Sequence, residues 1–148
     1  MRLTSFTCHS LRVLMYLAVR PGERATIAEI AAAFAVSESH LAKVVRYLGM
    51  KGLLTNARGR GGGIELGRPP ASINIGTVVR ATEADAALVE CFKPRTNHGV
   101  TIPACSCRGM LTEALNALYT TLDKCSLEDI MRNRQRLQKL LEPRHAAR

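Results

Sequence analysis

Near the start of the chain, apolar side chains return with the period of a helix. Leu11, Leu14 and Ala18 follow one face, with Phe6, Val13 and Leu17 beside them, and the pattern predicts a helix over residues 4–19. Pro21-Gly22 stops it. Thr26 followed by Glu29 has the form of a capping box, so a second helix opens there and runs through the alanine-rich IAEIAAAF. A brief turn at Ala35-Val36 follows. Ser37 then caps a third helix, ESHLAKVVRYLGMKG, whose Leu41, Val44, Val45 and Leu48 share a face; Gly49 or Gly52 terminates it.

Beyond that point the period changes. LLT and GIEL are short apolar runs on either side of an Arg–Gly loop, the signature of a two-stranded hairpin with a cationic tip. Pro69-Pro70 ends the hairpin, and Asn74 or Thr77 starts a short helix towards Glu83. Periodicity fades over 83–104, which reads as loop. Met110, Leu111, Ala114, Leu115, Leu118 and Leu122 then predict a strong helix from Gly109 to Lys124. Ser126, with Asp129 at the third helical position, opens a last helix to about Leu141. The fold class is mainly α with a small β-hairpin wing. Residues 1–82 form a winged helix-turn-helix domain, 83–107 a cysteine-bearing loop, 108–141 a long helix and a C-terminal helix, and 142–148 a tail.

Composition sharpens this picture. Hydrophobic residues make up 47% of the 148, but aromatics only 4% and Trp is absent, so the core is aliphatic and suits helices. No run approaches the roughly 18 apolar residues that cross a bilayer. Arg12 and Arg20 interrupt the N-terminal apolar patch, which argues against a signal peptide. The expectation is a cytoplasmic protein with no membrane partner. A net charge of +9 and a pI of about 9.9 point to a polyanion, most often nucleic acid. Five cysteines without an export signal suggest metal or redox chemistry rather than a disulfide framework.

Helix, turn, helix and a basic-tipped hairpin form the arrangement that reads double-stranded DNA. Ser37 starts the third helix, and Ser39, His40, Lys43 and Arg46 point away from its apolar face, where a major groove would meet them. At the hairpin tip Arg58 and Arg60 stand between glycines that let the backbone approach phosphates. Glu38 either accepts from a cytosine amino group or favours the helix dipole. No Ser-His-Asp, Walker or dinucleotide motif is present, so an enzyme is not expected.

MRLTSFTCHSLRVLMYLA, RGRGGGIELGRPPASINIGTVVRATE and LVECF…IPACSCRGMLTEALNAL resemble the N-terminus, wing and cluster loop with following helix of the Rrf-type bacterial transcription regulators. The likeness runs from residue 1 to about 140 and is nearest that family's nitric-oxide-sensing branch. It implies a homodimeric repressor on a palindromic operator, paired through the helix from about Arg108 to Lys124. It also implies an iron–sulfur cluster in the preceding loop, altered by nitric oxide, oxidation or iron shortage.

Two positions depart from that pattern. Of three loop cysteines, Cys91 and Cys105 match, but the middle one is replaced by Gly99, which has no donor. Position 8, an aspartate that reaches the partner's cluster in this branch, is Cys8, a softer iron ligand, and His9 stands where the family carries an aromatic. The implied ligands are Cys91, Cys105 and, across the dimer, Cys8, with Cys107 or His98 as the fourth and His9 a further candidate. A four-iron cluster is placed ahead of a two-iron one. Cys125 reads as structural. Two metal readings compete with thiol chemistry: the cluster, and a structural zinc with constitutive DNA binding. The thiol reading is a regulator of the same fold that senses oxidants by disulfide formation without metal.

Overall fold

The structure, a computed structural model, describes residues 3–57, 59, 61–83 and 106–141. Helix α1 (Ser5–Ala18) is capped by Thr4, whose hydroxyl accepts from Thr7 N–H at 3.2 Å. Val13, Leu14, Leu17 and Ala18 face inward, with Thr7, Ser10 and Tyr16 buried beside them. Ser10 satisfies its buried hydroxyl by donating to Phe6 O at 2.8 Å. The expected capping box opens α2 (Ile27–Phe34): Thr26 Oγ1 accepts from Glu29 N–H at 3.2 Å, and Thr26 N–H donates back to Glu29 Oε2 at 2.6 Å.

The turn into α3 (Glu38–Met50) is made by Ala35 at φ +51°, after which Val36 N–H returns to Ala31 O at 3.0 Å. A left-handed residue here swings the chain so that α3 follows α2 across a turn of three residues, 35–37. Ser37 occupies the cap position, but its hydroxyl lies 2.7 Å from Ser39 Oγ and bonds no backbone amide. The two hydroxyls satisfy one another in place of the expected cap. Leu41, Val44, Val45 and Leu48 are buried as the spacing predicted, and Gly52, at φ +66°, is the terminator.

Strands β1 (Leu54–Ala57) and β2 (Gly63–Leu66) pair antiparallel, Leu54 opposite Leu66 and Ala57 opposite Gly63. Ala25 adds one more rung, exchanging both backbone bonds with Ile64 at 2.8 and 3.0 Å. A side chain at Gly63 would press on Arg24 Cβ and Ala25 O at 3.0 and 3.1 Å, so glycine is what lets this rung form. Gly59 and Gly61 carry positive φ at the tip.

A short 3-10 turn at Pro70–Ser72, not foreseen in the sequence, leads to α4 (Ile75–Thr82), capped by Asn74. Helix α5 (Ser106–Leu122) begins before the expected Gly109. The single last helix expected to Leu141 is two: α6 (Leu127–Ile130), with the Ser126–Asp129 capping box, and α7 (Arg134–Leu141). The break falls beside Asn133, a poor helix former, where Arg134 Nε turns back to donate to Val19 O at 3.3 Å. Leu14, Ile30, Leu41, Leu48, Ile73 and Leu127 meet in one core, and α1 packs against α2, α3, α4, α6 and β2. Among the described residues no helix is long and apolar enough to cross a membrane.

Ala35 is the one described non-glycine residue at positive φ. Relief of that strain predicts that Ala35→Gly stabilises the fold by about 1 kcal/mol. Chemical denaturation of both proteins measures it; a lower midpoint at unchanged slope would contradict the assignment.

Candidate nucleic-acid interface and cysteine site

Helix α3 divides cleanly. Its apolar residues are sealed in the core, while Glu38, Ser39, His40, Lys43 and Arg46 are all exposed, as is Ser37 ahead of it. Burying Leu41, Val44, Val45 and Leu48 fixes the rotation of the helix, so the polar residues have one way to face. Lys43 and Arg46 have no acidic partner among the described ion pairs. Arg58 and Arg60 lie outside the described residues. Lys51 stacks 5.5 Å over Tyr47, and Arg68 Nε donates to Gly52 O at 3.1 Å, bracing the root of the hairpin against the end of α3.

A second constellation surrounds the first turn of α1. The Glu83 Oε1 oxygen accepts from Thr4 N–H at 2.8 Å and Thr4 Oγ1 at 2.9 Å, and the Thr7 hydroxyl also reaches it. Thr7 Oγ1 lies 2.9 Å from Thr82 Oγ1, which donates back to Val78 O at 3.0 Å. Cys8, one residue on from Thr7, is a half-buried free thiol. The chain therefore leaves the winged domain for the cysteine-bearing segment at the turn of α1 that carries Cys8.

The same exit touches α3. Tyr47 donates its hydroxyl to Ala81 O at 2.6 Å, and its ring meets Phe6 of α1 edge-on at 5.4 Å. His9 Nδ1 is buried with no hydrogen-bond partner among the described residues. Burial first, then the charges of Arg12 and His40, hold its imidazole below the ordinary range. Cys91, His98, Gly99 and Cys105 lie outside the described residues. Cys107 belongs by its backbone to the first turn of α5, and its side chain too is outside them. Cys125 is half-buried at the end of α5, away from Cys8 in sequence.

Glu83, Thr4, Thr7 and Tyr47 escaped the sequence reading. Thr4 has a local signal, a hydroxyl residue ahead of an apolar period. Glu83 has none, because its partners are 76 and 79 residues away.

Residues 3–133 match Rrf2, described as an iron-dependent transcriptional regulator. The chain belongs to the Rrf2 family. It is 48% identical over 143 residues to the HTH-type transcriptional regulator NsrR of Bacillus subtilis (strain 168), covering 96% of this chain and 98% of that protein. To NsrR of Geobacillus kaustophilus (strain HTA426) it is 46% identical over 145 residues, covering 97% and 99%. CymR, the global cysteine regulator of B. subtilis, superposes with a TM-score of 0.69 at 25% identity, over 88% of this chain and 95% of its own. IscR of T. potens superposes at 0.70 and 22% identity, over 93% and 91%, and shows the fold alone. The Rrf2 chain is thus a DNA-binding transcription regulator with a winged helix-turn-helix domain, and its family is one of regulators rather than enzymes.

Phosphate contact by the exposed cations of α3 predicts that Lys43→Ala and Arg46→Ala each lower the slope of log affinity against log salt by about 1. His40→Ala is expected to change base preference instead. Titrations of duplex DNA across a salt series check both; unchanged slopes would remove Lys43 and Arg46 from the interface.

Proposed function

We propose that the chain is a homodimeric bacterial repressor, acting in the cytoplasm, whose affinity for a palindromic operator is set by an iron–sulfur cluster responding to nitric oxide or to redox and iron status. The observation that carries this reading is 46–48% identity to NsrR proteins over nearly the full chain, joined to the position of Cys8 beside the anchored exit of the cysteine segment. Dimer formation is supported by α5. Leu111, Leu115 and Leu118 recur on one side of it, only half-buried, beside Met110 at 66% exposure. A second copy of the helix is the covering such a stripe suits.

The donor set fits an iron–sulfur cluster. Cys91, Cys105 and Cys8 of the partner subunit offer three thiolates, and Cys107 or His98 supplies the fourth position that Gly99 vacates. Cys8 is free and half-buried, with its helix locked by the core, which suits a ligand that must be held rather than flexed. The four-iron form is placed ahead of a two-iron form with histidine ligation. When bound, the cluster supplies a centre that nitric oxide, oxidants or iron loss can alter. The chain's own part is mechanical. Glu83 fastens the start of the cysteine segment to Thr4 and Thr7, and Tyr47 fastens the same exit to α3. Displacing that exit displaces both recognition helices of a dimer, which a two-half-site operator does not tolerate.

A second reading rests on Gly99. With one loop thiol missing, Cys8, Cys91, Cys105 and Cys107 can act as a metal-free disulfide switch.

Anaerobic purification with iron and sulfide counts separates these. About four of each per chain is expected, and about two would assign the two-iron form. Cys8→Ala is expected to lower occupancy while leaving the fold intact by circular dichroism. Neither metal nor sulfide in the wild-type protein would sink the cluster reading and leave the disulfide one.

A further inference from the structure

The junction between α4 and α5 holds two residues that local physics disfavours. Gly76 lies in the first turn of α4, where glycine lowers helix stability. Asp123 follows the last residue of α5, where the negative end of the helix dipole opposes a carboxylate. They meet each other. A Cβ at Gly76 would collide with the Asp123 carboxylate and lie 2.9 Å from Asp123 N. Each is out of place in its own helix and fitted to the other. Local rules fail in this way at functional or strained sites.

The remaining contacts turn that fit into a joint. Arg80, one helical turn on from Gly76, grips Asp123 with both nitrogens, Nη1 to Oδ1 at 2.6 Å and Nη2 to Oδ2. Its guanidinium lies 4.6 Å over the ring of Tyr119 on α5. That grip holds the Asp123 carboxyl below the usual carboxylate range. Asn74 caps α4 with one side-chain atom, accepting from Thr77 N–H at 2.9 Å, and with the other donates to Asp123 O at 2.7 Å. Ile75 N–H to Cys125 O at 2.9 Å and Leu127 N–H to Ile73 O at 2.8 Å close the backbone around it. The side chains of Arg80 and Asp123 are 42% and 40% exposed. An ion pair so wet contributes little stability, whereas a planar two-point grip fixes direction.

We propose that Gly76, Arg80 and Asp123 form a joint that fixes the angle of α5 against the winged domain and so selects the operator half-site spacing. The inference rests on the reading of α5 as the dimer helix. If α5 pairs with its twin, the distance between the two α3 helices follows from the angle at this joint. Arg80 and Asp123 are then positioning residues: they touch no base, yet they decide which operators fit.

The test uses full-length protein and duplexes that the wild-type chain selects from a random pool. The two half-sites are then reinstalled at spacings changed one base pair at a time, and a duplex with one half-site serves as control. Arg80→Lys keeps the charge but cannot form the two-point grip; Asp123→Asn keeps the shape. Both variants are expected to stay dimeric by sedimentation and to bind the single half-site within about twofold of wild type. Discrimination between the best spacing and its neighbours is expected to fall from about tenfold or more towards about twofold. A wild-type spacing profile in both variants overturns the joint while leaving the dimer reading in place. A wild-type chain that sediments as a monomer, or that shows no spacing preference, overturns the joint together with the dimer reading.

Discussion

One carboxylate ties the structure together. Glu83 accepts from the backbone and hydroxyl of Thr4 and from the hydroxyl of Thr7, closing the winged domain's last helix onto the first turn of its first. The Thr4 amide is one of the donors left unsatisfied at the start of α1, so its bond to Glu83 adds to the helix cap as well as joining the ends. Because α1 is buried against nearly every other element, the anchor is rigid on the side of the domain. Whatever happens in the cysteine segment beyond Glu83 begins from a fixed point beside Cys8.

Rigidity at that point matters because α3 shares it. Tyr47 stands on the recognition helix, donates to Ala81 and packs edge-on against Phe6. Residues 81–83 are thus held from two directions, by the helix that carries Cys8 and by the helix whose outer face offers His40, Lys43 and Arg46. Densely packed cores move by small rigid shifts rather than by bending, so on this account a pull on this exit would be passed to α3 instead of being absorbed. The junction of α4 with α5 extends the same logic to the other end of α4.

Much of this was legible in the sequence where the cause is local. Thr26 with Glu29, and Ser126 with Asp129, cap their helices as the spacing predicts, and the apolar stripe of α3 fixes its polar face. Local reasoning missed where a closer partner competed. Ser37 found Ser39 before it found an amide, and the last helix broke where Arg134 bonds Val19. Tertiary contacts left no trace in the sequence. Glu83 reads as an ordinary charge, and Gly76 as a weak spot in a short helix, until residues far along the chain are set against them. On the cysteine side, Cys8 and the loss of a donor at Gly99 could be read only against a family pattern, since neither spacing nor period marks a ligand.

The central claim is that the state of the cysteine segment reaches the recognition helices through residues 81–83. Its most direct test is the affinity of one preparation for one duplex, selected from a random pool, before and after anaerobic removal of the proposed iron–sulfur cluster at a single fixed salt. Salt is fixed because phosphate contacts alone move affinity steeply. Coupling of this kind predicts a change of about 5–150-fold between the two forms. Equal affinities would contradict the account and leave a regulator whose DNA binding is independent of that cluster.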